Sequence, residues 1–272
     1  MQDMAVFWLR AAAALYSAGL FHSAYTILRK RSQIFQPVLG IFCVATVLHF
    51  VSLVETAIEQ GHFPANNFPQ SVSLFAFVIA VAFLFLYWRY KFQSLSVFLF
   101  PLVFVMTMAA AMQGSGSGWS GPTVRGAWLT LHVVLVLLGY AAMVMMAIAS
   151  VLYLVQEKQL KSKKQSAWFD RLPPLGTLDN FISNSMGIGF VLITLGVITG
   201  SSWAYIEFGT RWISDPKIVI SFITWLFYLL MVFLRWTAGW RGRKAAILAL
   251  MVLFCSAATW AAHVGLRSKY LQ

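Results

Sequence analysis

The sequence predicts an all-α, polytopic transmembrane helix bundle of about eight spans, with both termini on the external side. Three observations predict it. Of the 272 residues, 60% are hydrophobic and only 10% are charged, whereas a soluble domain carries roughly 25% charged residues. The apolar residues are gathered into separate runs, most of them near the ~20 residues a helix needs to cross the hydrocarbon core. The basic residues collect in alternate connections between those runs.

The runs cover 5–28, 35–57, 70–88, 94–112, 127–154, 184–202, 217–235 and 243–264. The odd connections hold Arg29, Lys30 and Arg31; Arg89 and Lys91; Lys158, Lys161, Lys163, Lys164 and Arg171; and Arg235, Arg241, Arg243 and Lys244. The even ones hold far fewer: none in the second, Arg125 in the fourth, Arg211 and Lys217 in the sixth. Cytoplasmic connections carry the excess of Lys and Arg, so the odd ones face inward and the even ones outward. The formal net charge of +12 thus points to a lipid bilayer and not to nucleic acid. The chain is expected to form one integral membrane domain over 1–272.

The connections differ in character. GHFPANNFPQ, between the second and third runs, is rich in Pro and Asn and is expected to be irregular and extended. QGSGSGWSGPTVRG, between the fourth and fifth, is glycine-rich, with Trp119 inside it and Trp128 at its edge. After Pro173 and Pro174, LGTLDNFISNSMG is expected to form a short interfacial helix leading into the sixth run. Cys43 and Cys255 lie inside apolar runs and form no CxxC pair, which argues against thiol-redox chemistry and covalent c-type haem attachment. The start of the chain lacks a basic segment and a small-residue cleavage site, so no cleavable signal peptide is expected. No Ser-His-Asp set, P-loop or zinc-protease motif is present, and no catalytic residue is assigned.

The sixth connection, SWAYIEFGTRWISDPK over 202–217, carries Trp203, Tyr205, Glu207, Phe208, Arg211, Trp212, Asp215 and Lys217. Flat aromatic faces beside cations suit a planar apolar ligand with anionic edges. The plainer alternative is an aromatic belt at the headgroup level. His132 sits about one turn into the fifth span from its outer end, and His263 closes the eighth on the same face. Imidazoles on two separate helices can hold a haem iron from both axial sides; interfacial hydrogen bonding is the plainer alternative. His49 lies near the middle of the second span. It either bonds a neighbouring helix or serves as an intramembrane haem ligand. His22 lies in the inner half of the first span, and His62 is expected to be solvent-exposed in the second connection.

The segment from Gly187 resembles the core of the cytochrome c assembly proteins, a haem-handling family with a tryptophan-rich "WWD" loop. The residues that carry the likeness are Trp203-Ala204, Gly209, Trp212, Asp215-Pro216-Lys217, Ile223-Thr224-Trp225 and Gly239-Trp240-Arg241-Gly242. Upstream, Trp128-Leu129-x-x-His132, Gly139-Tyr140-Ala141 and the stretch FPANNFPQSVSLFAF resemble further family segments. The length and span count resemble the short CcsA/ResC-type branch, with HemX-like proteins as near neighbours.

The resemblance implies that haem b is held at the external, periplasmic face of a bacterial cytoplasmic membrane. His132 and His263 would ligate the iron. Trp203, Phe208 and Trp212 would cover the ring, Arg211 and Lys217 would meet the propionates, and Asp215 would order the loop. His49 matches an intramembrane histidine of the family. The implied partners are a CcsB/ResB-type membrane protein and a CxxCH apocytochrome c. This chain would be the haem-presenting subunit of a haem lyase, inactive alone. The sequence departs from the family pattern at Gln70, Phe208, Ser214, Ile218 and Arg267, the last at the family's second external histidine. Those departures favour a HemX-like membrane regulator of haem biosynthesis as the alternative; a non-haem scaffold is a second one.

Overall fold

Eight α-helices make up almost all of the described chain, and no strand occurs among the described residues. The structure is a computed structural model. It describes residues 2–29, 34–112, 126–162, 172–208 and 216–265, without the side chains at 2, 3, 27–29, 207, 208, 216, 217, 260 and 262–265. The helices are α1 (Gln2–Arg29), α2 (Phe35–Gln60), α3 (Phe68–Tyr90), α4 (Ser96–Met112), α5 (Ala127–Ser162), α6 (Leu175–Phe208), α7 (Pro216–Trp236) and α8 (Arg243–Gly265). A 3₁₀ turn at Gln93–Leu95 precedes α4.

Seven of these helices are long and apolar enough to cross a bilayer. The remaining one, α8, has 23 residues. Their large apolar side chains point outward as well as inward: Phe21, Trp88, Phe254 and Ile206 are all at least 70% exposed. In water such a surface would associate. In lipid it is the expected solvent-facing side, because helices satisfy their own backbone groups. The chain is an integral membrane protein.

Local chemistry explains the helix ends. α2 stops at Gly61, whose φ of 64° is left-handed and suits a residue without Cβ. α3 starts because the Asn67 side chain accepts from the Gln70 N–H at 2.9 Å, while the Gln70 side chain accepts from the Asn66 N–H at 2.9 Å. These reciprocal bonds satisfy donors that a helix start leaves open. His62 is half-buried, not fully exposed, and its Nδ1 lies 3.0 Å from the Phe63 carbonyl.

Two expectations change. LGTLDNFISNSMG is not a separate interfacial helix: α6 runs unbroken for 34 residues from Leu175. No Pro follows Pro174 in this stretch, so nothing stops the helix once it starts. The tryptophan-rich loop is also shorter than 203–217. Residues 203–208 form the last turns of α6, and α7 begins at Pro216, where a fixed φ suits a first helical turn. Only 209–215 lie between, outside the described residues.

The helices group into two compact units. In the first, α1 packs on α2 and α4, and α3 packs on α4 and α2. Its core is a cluster of fully buried rings: Tyr16, Phe35, Phe42, Phe83 and Phe100. In the second, α5 packs along α6 and against α8, while α7 packs on α8 and α6. Its core is built from Met143, Met145, Met146, Ile182, Met186 and Tyr228.

Candidate functional site

α5 and α6 lie close because their facing positions are small. A methyl group built at Gly139 of α5 would come within 2.6 Å of Ile193, and one at Gly196 of α6 within 2.7 Å of Val136. Small residues of this kind let helix backbones approach inside a membrane, where dispersion and hydrogen bonds must do the holding.

His132 occupies this seam. Its Nδ1 is 2.7 Å from the Gly196 carbonyl. The ring packs closely on α6, since a methyl group at Gly200 would fall 2.5 Å from Cε1, 2.7 Å from Nδ1 and 3.2 Å from Nε2. One turn further out on α5, the Trp128 indole N–H donates to the Thr199 carbonyl at 2.9 Å. The Thr199 hydroxyl reaches back to the Leu195 and Gly196 carbonyls at 2.9 and 3.0 Å. Trp203 is half-buried and sits three residues after Gly200 and seven after Gly196, on the same helical stripe. His132 and Trp203 are therefore brought to one face of α6.

A carbonyl oxygen only accepts, so the proton of a neutral His132 is assigned to Nδ1. Nε2 then carries the lone pair. A histidine ligand is normally oriented in this way, with its other ring nitrogen donating to a carbonyl or carboxylate. The donor chemistry at His132 thus fits an axial haem ligand.

α7 and α8 are tied in by a hydrogen-bonded tier. The Trp225 indole donates to Thr194 Oγ1 at 3.0 Å and stacks on Phe190. Thr224 and Thr259 share a hydrogen bond between α7 and α8. The Ser256 hydroxyl meets the Met143 sulfur of α5 at 3.3 Å. His263 belongs to α8, four residues after Thr259 and seven after Ser256, positions on one helical stripe. Its side chain lies outside the described residues, as do those of Phe208 and Lys217. Arg211, Trp212 and Asp215 lie outside them altogether.

The heights of the two histidines follow from the Ser256–Met143 contact. Successive spans alternate in direction, so α5 and α8 run antiparallel. His132 is eleven residues from Met143, and His263 is seven from Ser256. At ~1.5 Å per residue, His263 stands ~6 Å deeper than His132. The eleventh residue from Ser256 is Arg267.

His49 belongs to the other unit and is fully buried. Its Nε2 shares a 2.9 Å hydrogen bond with Ser73 of α3. Tyr16 and Phe77 enclose the ring at centroid distances of 6.0 and 5.7 Å, and Nδ1 is buried without a hydrogen-bond partner. Ser73 also lines a cavity of about 460 Å³ near the ends of α1 to α4, together with Arg10, Ser52 and Glu59. His49 is thus one hydrogen bond from a cavity. His22, also buried, packs against Phe35 and Phe100.

Sequence reasoning missed the groups that hold His132, namely Gly196, Thr199 and Gly200. The available signal was a glycine pair four apart on an apolar run facing a histidine-bearing one. It also missed the pairing of Asp179 with Arg235, although Asp179 is a lone acid at the start of an apolar helix.

Two "Cytochrome c biogenesis protein CcsA" sequences illustrate the likeness. That of Prochlorococcus marinus (strain MIT 9312) is 36% identical over 170 residues, covering 54% of this chain and 55% of the relative. That of Heterosigma akashiwo (strain NIES-293 / 8280G21-1) is 31% identical over 175 residues, covering 53% of each. The chain spans about half the length of the curated relatives it matches. The profile of the family described as "Cytochrome C assembly protein" matches residues 8–260, nearly the whole chain, and the chain belongs to that family.

Proposed function

We propose that this chain is the haem-handling membrane subunit of a cytochrome c maturation system of the CcsA/CcsB type. In this reading haem b is held at the external face between His132 and His263, under the tryptophan-rich segment 203–217. The observation that carries it is the Nδ1 bond of His132 to the Gly196 carbonyl, which leaves Nε2 as the ligating atom. The site faces the periplasm of a bacterial cytoplasmic membrane, as the distribution of Lys and Arg supports.

The chain's own work is positioning. His132 orients the iron from α5. Trp203 and Trp212, with Phe208, exclude water from the ring plane. Arg211 and Lys217 neutralise the propionates by charge-assisted hydrogen bonds, and Asp215 orders the connection into α7. His49, next to its cavity, is the intramembrane position for haem. The bound haem supplies vinyl groups that the thiols of a CxxCH apocytochrome attack, with a CcsB/ResB-type protein as the partner subunit.

A second reading has its own support. His263 lies ~6 Å deeper than His132 by helical rise, and Arg267 stands where the family pattern has its second external histidine. A site with only one external histidine fits a HemX-like membrane regulator of haem biosynthesis. The absorption spectrum of the detergent-purified protein separates the readings, with His132→Ala and His263→Ala measured beside the wild type. Loss or shift of the Soret band in both variants supports presentation for maturation. A change only in His132→Ala supports the regulator. An unchanged band in His132→Ala refutes both.

A further inference from the structure

We propose that Gly196 and Gly200, with Trp128 as an outer clamp, are positioning residues that fix the tautomer and ring plane of His132. The inference rests on the reading of His132 as an iron ligand and says why that ligand presents Nε2. In a neutral imidazole only one nitrogen carries a proton, and either tautomer is accessible in water. At this seam the choice is made by the backbone. The Gly196 carbonyl accepts from Nδ1 at 2.7 Å and also from the Thr199 hydroxyl at 3.0 Å. Reaching a helical carbonyl side-on requires bare backbone next to it. Gly200 provides this, because any Cβ there would lie 2.5–3.2 Å from three ring atoms of His132. Gly196 provides the inter-helix distance, since its own Cβ would strike Val136 at 2.7 Å. Trp128 then fastens α5 to α6 through the Thr199 carbonyl at 2.9 Å, one turn outside the ring. An alanine at 200 forces the ring away from the carbonyl and releases the tautomer.

The test uses the full chain in detergent, labelled with ¹⁵N-histidine and free of haem, and reads the tautomer from long-range ¹H–¹⁵N correlations. The His132 signals are assigned by their loss in His132→Gln. The expected pattern in the wild type is a protonated Nδ1 and a bare Nε2. In Gly200→Ala it moves toward a mixture of tautomers. Titration with haem then gives a weaker or shifted Soret band in Gly200→Ala, with affinity about tenfold lower, the scale of losses at groups that orient metal ligands. Free imidazole restores the band. Trp128→Phe removes the indole donor while keeping an aromatic ring and gives the same change in smaller measure; it decides the matter if Gly200→Ala does not fold. A protonated Nε2 in the wild type overturns the proposal, as does a wild-type tautomer pattern in both variants. Failure of the ligand reading looks different: His132→Gln then binds haem as the wild type does, while the tautomer and its response to Gly200→Ala remain.

Discussion

Arg235 grips Asp179 through two parallel hydrogen bonds, Nη1 to Oδ1 at 2.9 Å and Nη2 to Oδ2 at 2.8 Å. The side chains are only 6% and 14% exposed. The turn between α7 and α8 wraps around the pair. The Gly242 N–H donates to Asp179 Oδ1 at 2.9 Å, and Arg235 Nη1 donates to the Trp240 carbonyl at 3.0 Å. One ion pair therefore joins α6, α7 and the start of α8 at the end of the bundle opposite His132.

Removing the acid leaves the guanidinium buried without its counter-charge. Asp179→Ala is expected to destabilise the protein by roughly 3–5 kcal/mol, the range for one partner lost from a buried pair. The double variant Asp179→Ala/Arg235→Met should regain part of this. Equilibrium unfolding in mixed micelles measures both. A loss under about 1 kcal/mol for the single variant would class the pair with exposed ion pairs instead.

The two glycines of the same turn should respond differently to alanine. Gly239 and Gly242 both adopt left-handed backbone, with φ of 63° and 62°. A Cβ at Gly239 meets open space, whereas one at Gly242 would lie 2.6 Å from the Tyr153 hydroxyl. Gly239→Ala is expected to cost only the backbone strain, about 1–2 kcal/mol. Gly242→Ala adds overpacking of about 1–3 kcal/mol, and Tyr153→Phe in that background should return some of it. The comparison uses the same unfolding assay; equal costs at the two positions would contradict the Tyr153 contact.

His49 and Ser73 allow a cleaner separation of structure from function. Ser73→Ala removes the partner of a buried ring nitrogen and is expected to cost about 1–3 kcal/mol. In a His49→Leu background the same substitution should cost little, because no polar group is left unpaired. A double-mutant cycle reads the coupling directly. Additive effects would mean that the 2.9 Å bond contributes nothing to folding.

The helices were legible as elements because each apolar run is bounded by charge, Gly or Pro, and hydrocarbon thickness fixes the scale, although α5 runs on to Ser162, past the apolar run that ends at 154. The start of α6 was not legible in the same way. Asp179 and four polar residues over 180–185 read as an interface, yet they remain helical because Arg235 and Ser183 turn that polarity into a buried bond network. The end of α6 was misread for a related reason. Trp203, Tyr205 and Glu207 look like loop chemistry, but nothing before Gly209 breaks a helix. His132 was legible as a candidate from its place near the end of an apolar run, on the same face as His263 and the aromatic segment. Its acceptor was not, since a backbone carbonyl leaves no mark in a sequence beyond the glycine that exposes it.

The register of α8 yields the sharpest functional prediction. If the ~6 Å offset of helical rise between His132 and His263 leaves the iron short of a second external ligand, Arg267→His should supply one, since it restores the histidine that the family pattern has at this position. Wild-type protein loaded with haem would then show a five-coordinate or weakly ligated spectrum, and Arg267→His would turn it into a sharp low-spin one. The change should vanish in His132→Ala/Arg267→His and persist in His263→Ala/Arg267→His. If instead His263 already ligates the iron, the wild type is low-spin, Arg267→His leaves the Soret band where it is, and His263→Ala alone moves it. Replacing Arg267 by a neutral histidine also removes one positive charge from the chain. The same variant should therefore bind haem with a weaker dependence on salt.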